Sequence, residues 1–317
     1  MKNKVAELLR ERLNLEGEGS SGETTRTANS DAFSRTLPTY LQETVQKKRV
    51  SVAHVDLETL QHPLDRDTSR SVRKLKGYRT ATRHIYKEGY EKVSRVEHLG
   101  GLVRIGPDQF PELYEIYQGC VERSGVEKEP PLFLRLGGYN AYTGGVNEPY
   151  IVLLSDLVAN FTTPELEFVI GHELGHIRFE HVMNQWIFQN LANLGDLGGP
   201  VFSALVKFAA TPLYEWSRAA EFSSDRMGLL VCQDLDAGIR TMVKLAGVPV
   251  ELYGQINTDA FLRQYEDFAA LDDDERSANI KRILTAPMTH PWTVARAYEL
   301  NRWVESGAYD AALKGKQ

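Results

Sequence analysis

TTPELEFVIGHELGH, residues 162–176, opens as a helix and ends as a metal grip. Thr162 and Thr163 before Pro164, with Glu165 in the first turn, give a strong helix start. His172 and His176 stand four residues apart, about 400° of helical rotation, so their side chains emerge only about 40° apart. Two imidazoles so placed can hold one zinc ion, with Glu173 beside the open coordination position.

A catalytic zinc site needs a third protein ligand and room for water. The spacing excludes the metzincin pattern, because Phe179 and Val182 stand where that pattern requires Gly and His. His181 lies five residues past His176. On a continued helix it points about 140° away and reads as a helix-surface or packing residue. The better source is SRAAEFSSD, residues 217–225, where Glu221 and Asp225 are again one helical turn apart. Glu221 can complete a His, His, Glu set for one ion per chain. Asp225 can then accept a hydrogen bond from the outer nitrogen of a ligating imidazole and fix its orientation.

GHELGH followed by SRAAEFSSDRMG, which begins 41 residues beyond His176, resembles the HtpX-like and CAAX-protease-like zinc endopeptidases, metallopeptidase family forty-eight of the gluzincin type. The resemblance covers about 190 residues, from Phe110 to Leu300. It takes in Asn140-Ala141-Tyr142, the apolar run Tyr150-Ile151-Val152-Leu153-Leu154, and Thr289-His290-Pro291 with Arg296. It implies an α+β, mostly helical peptidase domain with a small sheet, in which zinc and Glu173 activate water against a peptide bond. His290 is then the candidate for stabilising the oxyanion, with Arg296 or Arg218 as the alternative. The opposing reading makes His290-Pro291 a helix-start turn and pairs Arg296 with an acidic neighbour. In gluzincins a strand such as 150–154 lies along the cleft. If its outer edge is open, Asn140, Ala141, Tyr150, Ile151 and Val152 are the expected contacts for an extended or unfolded protein segment; the alternative reading makes the run simply a core strand. Family members of the HtpX kind are membrane proteins, whereas Trp186 to Tyr214 here is interrupted by Asp196, Gly198-Gly199-Pro200 and Lys207 and reads as a soluble helical hairpin.

Outward from this centre, Pro111 to Arg123 reads as a helix, Leu132 to Leu136 as a strand before Gly137-Gly138, and Ser155 to Phe161 as a short helix. The expected organisation is a short helix and flexible linker over 1–36, a basic helical region over 37–105, the peptidase domain over 106–305 and a tail over 306–317. Residues 1–105 carry 20 basic and 14 acidic residues; 106–317 carry 17 and 29. The basic cluster Arg66 to Arg83, with Tyr78, Tyr86 and Tyr90 interleaved, reads as a solvated helix face with tyrosines turned inward rather than a nucleic-acid surface. The simplest account of the asymmetry is that the basic part rests on the acidic part. A second is that residues 37–105 restrain the peptidase, so that deleting 1–100 raises cleavage.

The composition, 42% hydrophobic and 25% charged, is that of a globular protein and excludes fibrous or wholly disordered classes. Two cysteines exclude a disulfide framework, and Cys120 and Cys232 are expected as ordinary buried thiols. Charged residues interrupt Met1 to Glu16, so it does not read as a secretory leader. No run approaches the roughly 20 apolar residues of a membrane helix, and Pro212 closes the best candidate, Val201 to Ala210. The expected location is cytoplasmic, without membrane insertion or nucleic-acid binding. The rival class, a non-catalytic scaffold stabilised by zinc, has no use for Glu173 beside an open metal position.

Overall fold

The computed structural model describes residues 38–41, 49–73, 86, 90–183, 185, 199–286 and 288–314. The expectations for residues 1–36, for residues 74–85 of the basic cluster and for the start of the 186–214 hairpin lie outside this set. In chain order the described helices and strands are α1 (Leu57–Leu60), α2 (Pro63–Arg73), α3 (Tyr90–Gly101), β1 (Val103–Ile105), α4 (Pro111–Ser124), β2 (Leu132–Arg135), β3 (Ala141–Gly144), β4 (Tyr150–Leu154), α5 (Ser155–Asn160), α6 (Thr163–Arg178), α7 (Gly199–Cys232), α8 (Leu235–Leu245), α9 (Thr258–Ala270), α10 (Glu275–Thr285), α11 (Thr293–Glu305) and α12 (Ala308–Lys314). The fold is α+β and mostly helical, with one four-stranded sheet.

Helix α6 is the axis of the molecule. The Thr162 backbone N–H donates to Glu165 Oε2 at 2.8 Å, and Lys244 Nζ of α8 donates to the same oxygen at 2.6 Å, so the helix start is tied down inside the protein. Every residue from Glu165 to His176 is buried. Its partner α7, 34 residues and about 50 Å long, approaches at backbone distance because glycines face it. A Cβ on Gly171 would lie 2.7 Å from Val231 Cβ and 3.0 Å from Gly228 Cα, and one on Gly228 would lie 2.7 Å from the Phe168 carbonyl oxygen. Only hydrogen at these positions lets Glu221 come close to the α6 histidines. Helix α7 runs through Pro212 rather than ending there; the proline removes one backbone donor, and the long buried stretch from Trp216 to Cys232 carries the helix. No described helix is long and apolar enough to cross a membrane.

The sheet has the order β1-β2-β4-β3, with β2 and β4 parallel and the other pairs antiparallel. This corrects the expected role of residues 150–154. Strand β4 pairs with β2 on one side and β3 on the other, and Ile151 and Val152 are fully buried, so its main chain has no edge to offer. The free edge on this side belongs to β3, which has no second strand partner among the described residues.

The described residues between 38 and 105 belong to the same compact unit as the rest, residues 37–317. Val52 and Leu60 are buried in the core shared with Leu166, Leu229 and Leu230. Arg49 Nη2 pairs with Glu167 Oε2 at 2.5 Å, and Arg123 Nη2 reaches Glu167 Oε1 at 2.8 Å. The Val52 N–H donates to the Arg123 carbonyl, the His62 N–H to Ser223 Oγ, and Arg226 to the Leu60 carbonyl. Deleting residues 1–100 would therefore strip core side chains and buried ion-pair partners, so that truncation cannot serve as a clean test of restraint. At the other end, Tyr309 and Leu313 of α12 pack on the core. Asp274 caps α10 by accepting from the Ser277 N–H at 2.8 Å, which accounts for the end of the acidic run 272–275.

Candidate metal centre and active site

Helix α6 turns His172 and His176 toward α7, where Glu221 meets them. Their Nε2 atoms are 3.1 Å apart; Glu221 Oε2 lies 3.4 Å from His172 Nε2 and Oε1 lies 3.4 Å from His176 Nε2. All three residues are buried, and their ligand atoms fall within 4.8 Å of one another. Both Glu221 oxygens are buried without a hydrogen-bond partner. A carboxylate is rarely left so unless something outside the chain satisfies it. Two imidazole nitrogens and a carboxylate converging on one point are the donor set of a divalent metal.

The charge around the cluster agrees. Glu173, Glu221 and Asp225 are buried carboxylates facing one buried guanidinium, Arg296, and a divalent cation would bring that set of four to neutrality. Burial pushes the Glu221 carboxyl up, but His172, His176 and His290 hold it well below the usual carboxylate range. Burial likewise raises Asp225, and Arg296 more than reverses this. The two imidazoles diverge. Burial lowers both, but Asp225 and Glu221 bring His172 up to about 9, whereas His176 stays below its ordinary value.

His172 Nδ1 is 2.9 Å from Asp225 Oδ1, and Arg296 grips the same carboxylate through Nε at 2.9 Å and Nη2 at 2.6 Å. Arg296 Nη1 lies 3.5 Å from Glu221 Oε2. Arg296 is thus committed to the supports of the cluster. Arg218 is elsewhere: it donates to the carbonyls of Thr285 and Met288, while Ser217 Oγ donates to the Thr289 carbonyl. Both fasten the loop that carries His290. That imidazole is 64% exposed, with Nε2 3.6 Å from Glu221 Oε1.

A cleft of about 410 Å³ opens over the cluster. One wall is β3 with Asn140 before it; His172, Glu173 and His290 form the floor and mouth. Thr143 of β3 places its hydroxyl 2.6 Å from Glu173 Oε2 and 3.1 Å from the Glu173 carbonyl. Thr143 is a direct contact of Glu173 that sequence reasoning missed, since it lies in a run with no metal-ligand pattern.

His181 is placed differently from its sequence reading. The helix ends at Arg178, and Glu180 adopts a left-handed backbone (φ 59°) that turns the chain back. His181 is fully buried with Nδ1 3.1 Å from His176 Nδ1. The reading as a packing residue fits this position; the surface alternative does not. A non-glycine residue in the left-handed region carries no sequence signal by which the turn could be foreseen.

A helix bearing two buried histidines and an adjacent glutamate, completed by a carboxylate from a second helix, defines a metallopeptidase centre. Family comparison gives the same class: Peptidase family M48 matches residues 107–304, and the chain belongs to that family. It is 29% identical over 265 residues to the plastoglobule-localized metallopeptidase 48, chloroplastic, of Arabidopsis thaliana, covering 82% of this chain and 76% of that protein. No solved structure matches the chain significantly.

Proposed function

We propose that this protein is a zinc-dependent endopeptidase acting on extended protein segments, with one ion held by His172, His176 and Glu221. The observation that carries the reading is the pair of buried, unpartnered Glu221 oxygens facing two imidazole nitrogens with Glu173 beside them. When bound, zinc supplies Lewis acidity, bringing the pKa of a water toward about 7 and polarising a carbonyl. Glu173 takes the proton of the attacking water and returns it to the leaving amine. Thr143 occupies Glu173 Oε2, which leaves Oε1 for the proton. His290, exposed at the mouth of the cluster, can rotate to donate to the developing oxyanion. Asn140 and the free edge of β3 from Ala141 to Gly144 form the wall along which a peptide can add as a further strand. Main-chain pairing of that kind favours unfolded segments and loose sequence preference.

Stripping the metal with a chelator abolishes casein cleavage, and one equivalent of zinc per chain restores it. Cleavage that persists in metal-free protein would overturn the reading. Thr143→Val, which keeps shape and loses the donor, lowers kcat roughly 10–100-fold with little change in KM, and Thr143→Ser recovers most of it. The magnitude follows from the roughly 1.5–3 kcal/mol of a hydrogen bond to a charged group; steady-state kinetics on a fluorogenic peptide read it.

The cytoplasmic location rests on Cys120 and Cys232, both free and buried. Burial raises both thiols, Cys232 to about 12, so neither is a reactive thiolate. The name of the Arabidopsis relative assigns that protein to chloroplast plastoglobules.

A further inference from the structure

His172 and His176 are supported from behind by different devices. His172 has the carboxylate of Asp225. His176 has a second imidazole: its Nδ1 faces His181 Nδ1 at 3.1 Å, and His181 Nε2 faces Asp65 Oδ2 at 3.1 Å. The line runs from α6 through the turn after it to α2, 116 residues earlier in the chain than His181. Asp65 is fully buried and accepts from four further donors: Gln61 Nε2, Ser69 Oγ, Ser223 Oγ and Trp216 Nε1, at 3.1, 3.1, 2.7 and 3.0 Å. A buried carboxylate with that many donors is fixed in place and acts only as an acceptor.

We propose that Asp65 and His181 are positioning residues of the metal centre, fixing the tautomer and ring orientation of His176. Asp65 accepts, so His181 carries its proton on Nε2. Its Nδ1 is then a lone pair that accepts from His176 Nδ1–H. The His176 Nε2 lone pair is thereby turned to the point shared with His172 and Glu221. The stretch before residue 106 is on this account part of the metal site rather than a cover over it. The proposal rests on the zinc site proposed above.

The test uses the full chain. Zinc affinity is measured by competition with a chromophoric chelator, and the cobalt-substituted protein gives a visible spectrum sensitive to ligand geometry. Asp65→Asn and His181→Phe weaken zinc binding about 10–100-fold and alter the cobalt bands. Leu60→Ala, a core truncation on the same stretch, lowers the melting temperature and leaves affinity and spectrum unchanged. Equal affinity and spectrum in wild type and Asp65→Asn would overturn the proposal. Wild type that takes up no metal would bring down the zinc reading itself, and this proposal with it. Should the variants fail to fold, ¹⁵N-histidine NMR of zinc-loaded wild type decides: protons on His176 Nδ1 and His181 Nε2 support the proposal, and a His181 proton on Nδ1 refutes it.

Discussion

Glu173→Gln lowers peptide-bond cleavage by about a thousandfold while the protein keeps its metal. Glutamine has the size of glutamate and can still accept from Thr143 Oγ1, so the fold and the cleft wall stay as they are. What disappears is the carboxylate that stands beside the cluster without belonging to the His172, His176, Glu221 set and that accepts from Thr143. General base catalysis contributes roughly 10²–10⁴ in rate, and in the proposed mechanism one residue serves both proton transfers. Steady-state kinetics with zinc quantified in each sample separates loss of the base from loss of the ion. A variant that keeps a tenth of wild-type activity would remove Glu173 from the chemistry.

Glu221→Ala has the second largest effect, through the metal instead. It deletes one of the three proposed ligands, with both oxygens that lack a hydrogen-bond partner, leaving two imidazoles on one helix. Loss of an outer partner of a ligand costs 10–100-fold in affinity; loss of a ligand itself costs more, and zinc binding falls by over a hundredfold. Stability carries the same information, because a ligand bound only by the folded state raises stability by mass action. Zinc raises the melting temperature of wild type and leaves that of Glu221→Ala unmoved, as scanning calorimetry of both proteins with and without zinc will show. An equal zinc-induced rise in both would place the ion elsewhere.

The parts of the site that lie one helical turn apart were legible in the sequence. His172 with His176, and Glu221 with Asp225, obey a local rule, and the glycines and small residues of GHELGH and SRAAEFSSDRMG let their helices approach. The residues that complete the site obey no such rule. Thr143 meets Glu173 because β3 is an edge strand, and edge position depends on the pairing order of the whole sheet. Tyr150 to Val152 read as the cleft strand because the strand precedes the zinc helix; Tyr150 does line the cleft, but Ile151 and Val152 belong to an inner strand paired on both sides. His181 reads as remote on a continued helix, and a single left-handed residue, Glu180, reverses its direction. Asp65 sits in a stretch whose excess of arginine suggests a surface, and the one carboxylate pointing inward is hidden in that count. Charge asymmetry between the two parts of the chain reported an association, but could not tell a cover from a component of the core.

Three elements thus converge on the candidate metal centre: α6 with Glu173 and two imidazoles, α7 with the carboxylates, and α2 behind His181 and His176. On the proposed reading, the β3 edge is the peptide wall and its Thr143 holds the base. Each imidazole of the HExxH motif has a fixed acceptor behind it, which is what rigid positioning of a metal ligand requires.

The most direct measurement is digestion of casein by full-length wild type and Glu173→Gln, both zinc-loaded, side by side, with zinc determined in each sample. The account predicts one zinc per chain in both proteins and internal casein fragments from wild type alone. Fragments from both proteins, or cleavage by wild type containing no zinc, would contradict it.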